Sequence, residues 1–441
     1  CAVLYLRFIR TWRYLLAEYH GGAGEVPVNN ANTSTQLSDV YLEACKESGY
    51  RYVDYNGPTQ SGCSRLQANV ASGERISSSK AFIQPVISTR GNLDVALFSQ
   101  VTKINFEGNR AVGVSFIRYG EQQNIPARRE VILSAGTIGS AQLLLLSGIG
   151  PKEQLEQLQI PLVADLPVGL NIQDHTLFIT AVPVLTEKQN GITFFSLDDI
   201  AQYASNKTGT IATPAGIEIV HFLNTSYAPG PDVPDIQLVL VSTQPASELA
   251  RAELVNLGVL PEAYDSYLGP RDGATGFRLA VINNRPKSRG RITLRSSDPD
   301  EYPDIDLHMM ENPQDAKAAA EGAKLFIDTI LNTRAMQSIG AKPWDVTFPP
   351  CASAGPQWSL GYLECLFRHL SNSGYHICCS APMGSHPAAV VDERLRVRGN
   401  ITGLRVADAA VMPEIVTGNT NAPTMMIGSK AAAMIIQDNE D

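Results

Sequence analysis

The chain alternates short apolar runs with long polar stretches, and the spacing of those runs sorts it into regions. Residues Ser38 to Gly49 place Val40, Ala44 and Cys45 on one face of a helix, with Ser38 as its cap and Gly49 as its stop. From Leu93 to Ile117 the apolar positions are broken by Glu107-Gly108-Asn109, which predicts strands joined by a turn. Glu130 to Gly136 reads as a buried strand entering a glycine turn, followed by a helix over Ser140 to Leu146 that ends at Ser147-Gly148. Such a strand–turn–helix unit directs free N–H groups and the positive helix end to the strand's C-terminal edge, where α/β proteins bind cofactors.

Farther along, Ile236 to Leu240 and Arg291 to Leu294 are strand-like and sit between long polar loops. A helix follows, capped by Asn312, opened by Pro313 and carrying Ala319, Gly322, Ala323, Phe326 and Ile330 on one face to about Leu331. That mixture predicts an α+β unit. Leu395 to Val397 and Leu404 to Val406 read as strands, and Asn421-Ala422-Pro423-Thr424 opens a final helix to about Ile436.

Length changes the picture next: 441 residues exceed one ordinary core and predict two or three domains. A formal net charge of -9 and the absence of a concentrated basic run argue against a nucleic-acid partner. No uninterrupted apolar run is long enough to cross a bilayer, Leu143 to Leu146 being only part of a helix, and the apolar opening of the chain is interrupted by Arg7, Arg10 and Arg13. Seven cysteines without zinc-type spacing predict buried thiols and no metal. Asn-X-Ser/Thr tripeptides at Asn32, Asn206, Asn224 and Asn400 leave the compartment open, weighted towards secretion.

Two ordered stretches carry a family resemblance. Gly136 to Pro151, with Val168-Gly-Leu-Asn-Ile-Gln-Asp-His175, resembles the second signature of glucose–methanol–choline oxidoreductases. Tyr375-His376, Met383-Gly384, Val390-Val391-Asp392, Leu404 to Asp408 and Gly418 to Thr424 resemble that family's C-terminal catalytic section. Lesser matches occur at Tyr19-His20-Gly21 and Pro286 to Gly290, so the resemblance runs from about residue 19 to the end.

The resemblance implies an α/β FAD-binding domain joined to an α+β substrate-binding domain on an antiparallel sheet. Residues 1–175 form the first part, 176–375 most of the substrate domain, and 376–441 a return to the FAD-binding domain. No GxGxxG strand–helix unit occurs, and Gly21-Gly22-Ala23-Gly24 lacks the third glycine and the preceding strand. The FAD-binding domain is therefore expected to be incomplete, with its Rossmann-like βαβ unit missing and the pyrophosphate without its helix N-terminus.

The implied activity is oxidation of a CH–OH group of a small alcohol or sugar, with FAD as cofactor and oxygen or a quinone as acceptor. His376 maps onto the family's catalytic histidine, and a neutral imidazole suits a base that accepts the hydroxyl proton. Asn421 maps onto the second active-site position, where an amide holds the substrate oxygen without competing for the proton. Alone, Asn421 also reads as a helix cap, and His376 as a hydrogen-bonded core residue. Val101 is placed near the adenine end of the cofactor, Ser134, Ala135 and Gly136 along the dinucleotide, and Asp408 and Ala409 near the pyrophosphate or ring. Asn171, Asp174 and His175 are assigned to loop shaping. Cys379-Ser380 stands where the family has Gly-Thr. A non-catalytic binding protein and a flavin-dependent lyase are the alternatives, and a nicotinamide enzyme fits least because no dinucleotide fingerprint occurs.

Overall fold

The computed structural model describes residues 10–11, 19–22, 24–31, 33–188, 191–192 and 196–440. Ala23, Asn32 and most of the apolar opening stretch lie outside them. The described residues pack around two hydrophobic cores.

The first core is built on a seven-stranded antiparallel sheet. Its strands run Lys342–Pro343, Thr176–Leu185, Gly276–Asn283, Ile236–Val241, Ile217–Leu223 and Gly62–Arg65, with Asn372–Ser373 also pairing onto Thr176–Leu177. Leu279 lies opposite both Val182 and Leu240, which fixes the central register. Every residue of Gly276–Asn283 and of Ile236–Val241 is buried, so these strands read as continuous runs rather than as alternation.

The helix Pro313–Leu325 covers this sheet, and Asn312 caps it by accepting from Gln314 N–H at 2.9 Å. Gly322 costs the helix roughly 1 kcal/mol relative to alanine. It stands where a Cβ would lie 2.8 Å from Ile236 Cγ2, so its absent side chain permits the close approach of helix and sheet. The helix Leu360–His369 packs beside it and brings Phe367 to Phe178, ring centroids 4.4 Å apart. The helix Gln36–Glu47 closes the far edge, stacking Tyr41 on Phe326 and joining Cys45 to Cys63 of the edge strand.

The second core lies under an antiparallel meander of Ser99–Glu107, Arg110–Arg118 and Glu121–Pro126. Val131–Leu133 pairs in parallel with Leu404–Val406, joining segments some 270 residues apart, and leads through Gly136 into the helix Gly136–Leu146. Gly136 has φ +76°, a backbone conformation that glycine adopts without strain. The last helix, Asn421–Asn439, packs Ile427 and Ala431 into this core.

Several local expectations are corrected. Ser38 is a buried helical residue whose hydroxyl donates to the Thr35 carbonyl; Thr35 is the cap, and Glu218 takes both its N–H and its hydroxyl at 2.6 Å. The meander starts at Ser99, with turns before it, and the helix expected from Ser140 already starts at Gly136. The helix after Pro313 loosens into a π-turn over Phe326–Ile330. Leu395 to Val397 forms single bridges rather than a strand, because Val397 and Arg396 each meet a different partner. The cysteines of the described residues are not free thiols: Cys45–Cys63, Cys351–Cys365 and the adjacent Cys378–Cys379 are paired. Spacing along the chain carried no trace of the first two pairs, which only folding brings together.

Candidate active site

Two chain segments meet head-on beside the edge of the large sheet. Gln173-Asp174-His175 leads into the strand Thr176–Leu185, and Asn372–Ser373 pairs antiparallel to its start. The pairing continues outwards: Gly374 N–H donates to His175 O at 2.8 Å, and Cys378 N–H to Gln173 O at 2.9 Å. Between these bonds Tyr375 turns the backbone at φ +57° and delivers His376 opposite His175.

Asp174 braces the turn. It accepts from the Ser373 hydroxyl and from His376 N–H, the latter at 2.9 Å, while Ser373 Oγ accepts from Tyr375 N–H at 2.9 Å. Burial pushes the Asp174 carboxyl up to about 6, although these donors oppose the shift.

The histidines form a directional relay. His175 is fully buried, and its Nε2 lies 2.9 Å from the Val416 carbonyl, which can only accept. Nε2 therefore carries the proton and Nδ1 is the bare nitrogen. That Nδ1 sits 3.0 Å from His376 Nδ1, so His376 holds its own proton at Nδ1. His376 Nε2 is left with a lone pair, 3.1 Å from the Asn419 side-chain nitrogen, which donates to it. Burial keeps both rings neutral, lowering His175 to about 3, with help from the neighbouring His376, and His376 to about 4. A carbonyl two hydrogen bonds away thus fixes which nitrogen of His376 can accept a proton.

Asn419 also lines a cavity of about 800 Å³ walled by Tyr55, Gln60, Asn69, Phe222 and Asn421, among others. Asn421 opens the last helix with Thr420 as its cap, so its amide is not spent on capping. Its Nδ2 donates to Asn69 Oδ1 at 2.7 Å, and no hydrogen bond joins it to His376. Asn421 and Asn419 thus line the cavity, whereas His376 is not among its wall residues and meets it through its contact with Asn419. Of the two asparagines in Gly418-Asn-Thr-Asn the family resemblance pointed to Asn421, and the contact of Asn419 with His376 emerges only in the fold. His175 and Asp174 were legible only as a motif; their contact with His376 needs the pairing of the two segments. Asn171 is bonded to Pro413 O at 3.3 Å and takes no part.

Val101, Ser134 and Ala135 line a second, mainly apolar cavity of about 630 Å³ with Val114, Val131 and Leu143. Gly136 follows Ala135 without lining this cavity, and its N–H donates to Asp408 at 3.0 Å. Asp408 also accepts from Ser140 Oγ at 2.5 Å and from Ala410 N–H at 2.8 Å, so its carboxylate is committed to joining the two strand ends. Ala409 O accepts from Cys379 N–H at 3.2 Å. Cys379 itself has φ +76°, which explains physically why a glycine suits that position.

Family models described as GMC oxidoreductase match residues 5–177 and 286–428. The ecdysone oxidase of Spodoptera littoralis is 34% identical over 436 residues, covering 97% of this chain and 69% of that protein. The glucose dehydrogenase (FAD, quinone) of Drosophila melanogaster is 32% identical, covering 95% and 65%, and the alcohol dehydrogenase (acceptor) of Pseudomonas putida is 32% identical, covering 98% and 74%. The chain thus spans about two thirds to three quarters of the length of these relatives. Among solved structures, an FAD-dependent oxidoreductase from Chaetomium thermophilum superposes with a TM-score of 0.83 at 21% identity, covering 100% of this chain and 80% of that one. An Aspergillus oryzae formate oxidase gives 0.82 at 23% identity, covering 100% and 78%. At these identities the structures speak for the fold.

Proposed function

The chain belongs to the GMC oxidoreductase family, and from that premise we propose that it carries the substrate-oxidising site of an FAD-dependent enzyme acting on the CH–OH group of a small alcohol. His376 Nε2 is the base that takes the hydroxyl proton, and Asn421 positions the substrate oxygen. The observation that carries this reading is the relay from Val416 through His175 to His376, which supplies a neutral imidazole with its lone pair held at Asn419 on the cavity wall.

The residues present fit FAD. The apolar cleft behind Val101, Ser134 and Ala135 suits an adenine ring, and the helix Asn421–Asn439 starts at the other cavity without a side-chain cap, leaving its first N–H groups for an electron-rich ring edge. Bound there, FAD would supply the acceptor for a hydride from the carbinol carbon, with oxygen or a quinone as the external acceptor. The domain division at residues 175 and 375 belongs to this proposal, with the two cores serving cofactor and substrate.

The walls of the larger cavity favour a neutral substrate with several hydroxyls. Asn56, Gln60, Gln67, Asn69, Asn419 and Asn421 contribute carboxamides, Arg75 is the single charged residue among the described lining, and no carboxylate is there to balance a cation. Gln60 spends its N–H on Thr417 O at 2.9 Å and Asn421 spends its own on Asn69, which turns their carbonyls into acceptors for O–H donors.

The test is flavin retention and turnover by the full-length protein with FAD, neutral polyols, choline and a quinone acceptor. The expected result is a flavin spectrum that survives desalting in wild type and in His376→Ala, with turnover of a neutral alcohol lost about 10²–10⁴-fold in the variant. Undiminished turnover in His376→Ala would sink the assignment of the base.

A further inference from the structure

We propose that Asn206 and Asn400 are acceptor sites for N-linked glycans and that Asn224, which has the same tripeptide signature, is not. Four tripeptides satisfy Asn-X-Ser/Thr, and three of their asparagines fall within the described residues. The folded surroundings of these three differ in ways the signature does not record.

Asn206 closes the helix Leu197–Asn206, which has no buried residue, so a glycan there displaces nothing from a core. Its Oδ1 accepts from Thr208 N–H at 3.2 Å and from Thr208 Oγ1 at 2.6 Å. The hydroxyl required by the signature is thus already turned onto the amide oxygen, and Asn206 itself is exposed. Asn400 is exposed at φ +61° in a turn after Gly399, and among the described residues its side-chain amide makes no hydrogen bond.

Asn224 is half-buried at the end of the strand Ile217–Leu223 with every relevant atom engaged. Its Nδ2 donates to Gly230 O at 2.7 Å and its Oδ1 accepts from Ser61 Oγ at 2.9 Å. The signature's hydroxyl, Ser226 Oγ, donates to Glu321 Oε2 at 2.6 Å. A sugar on that nitrogen would break the tie to Gly230 and force apart the loop that closes the sheet end.

A second observation points to the same chemistry. Cys45–Cys63 and Cys351–Cys365 are disulfides between segments 18 and 14 residues apart, and such bonds persist in oxidising compartments, where the glycosylating machinery also acts. The donor class is a lipid-linked oligosaccharide diphosphate. A bond forms between the amide nitrogen and the anomeric carbon, the anomeric C–O bond to the diphosphate breaks, and the amide proton is released. No oxidation or reduction occurs.

Asn206 also stands close to the substrate cavity, since Tyr203 and Ile211, on either side of it along the chain, both line that cavity. The glycan would flank the cavity, not fill it.

The experiment expresses the full-length protein in a eukaryotic host behind a supplied secretion leader and maps the exported product by mass spectrometry after enzymatic deglycosylation in ¹⁸O-water. Isotope-labelled aspartate is expected at positions 206 and 400, with unmodified asparagine at 224. Thr208→Ala, which keeps Asn206 but removes its hydroxyl partner, should lose one glycan's worth of gel mobility shift and retain flavin like wild type. An exported product bare at Asn206 or Asn400, or glycosylated at Asn224, overturns the assignment. None of these readouts depends on turnover, so they stand apart from the reading of the active site.

Discussion

His175 lies behind His376 in the relay, yet it decides which nitrogen of His376, the proposed base, carries the proton. In His175→Leu the Nδ1–H of His376 loses a buried acceptor, at a cost of about 1–3 kcal/mol. A drop in kcat of roughly ten- to a hundredfold with KM little changed is expected, because the lesion lies in the proton acceptor and not in binding. Steady-state kinetics with the flavin content held equal measures this, and a rise in KM alone would place His175 in the binding wall. The pH profile carries a second expectation. With burial holding His376 near about 4, kcat/KM should stay level as pH falls through the ordinary histidine value of about 6.5 and decline only towards about 4. An acid limb near 6.5 would show an imidazole in open contact with water. Asp408→Ala probes structure instead: three donors lose one carboxylate, and a fall in unfolding free energy of about 3 kcal/mol by denaturant titration is expected.

Among the elements, the helix Gln36–Glu47 depends on one covalent tie to the edge strand of the large sheet. Removing Cys45–Cys63 by double alanine substitution frees a loop of 18 residues, which corresponds to about 3 kcal/mol of stability. Calorimetry should show the transition at lower temperature under oxidising conditions, and unchanged melting would mean the bond does not form. Gly322→Val tests the packing of the covering helix. Its Cβ would fall within 3 Å of Ile236 Cγ2, and a loss of about 1–3 kcal/mol is expected, where an exposed helical glycine would gain stability from the same change.

For the whole molecule, the balance of buried titrating groups sets the acid limit of stability. His175, His221 and His376 are all held neutral, at about 3, 3 and 4, by burial first of all. Each binds a proton more readily in the unfolded chain, so each withdraws about 1.4 kcal/mol per pH unit as pH falls below about 6.5 towards its folded value. Asp174, raised to about 6, works in the opposite sense, because the folded state takes its proton first; it adds stability as pH falls from about 6 towards the ordinary carboxyl value. Three histidines outweigh one carboxyl, and the melting temperature should fall steadily between about pH 6.5 and 4. A melting temperature independent of pH over that window would contradict the burial of these rings.

How much of this was legible beforehand follows from the range of the interactions involved. Local rules found the helix opened by Asn312 and Pro313, the strand before Gly136 and the turn at Gly108, because capping, fixed proline geometry and glycine freedom act within a few residues. Ordered motifs carried the family, the FAD chemistry and the two candidates His376 and Asn421. Local rules misplaced the cap at Ser38, since Glu218 lies far along the chain, and missed Cys45–Cys63 and Cys351–Cys365, since bond formation depends on distance in space. The pairing of Gln173–His175 with Asn372–Cys378 joins segments about 200 residues apart, and hydrogen bonds between such segments leave no periodic signature in either one. The sequence by itself determined which residue types were on hand for the proposed base, the proposed amide and the proposed cofactor cleft. Only the tertiary structure decided that Val416 and His175 set the proton on His376, and that Asn419 faces its other nitrogen, because a tautomer depends on which atoms face each nitrogen in three dimensions.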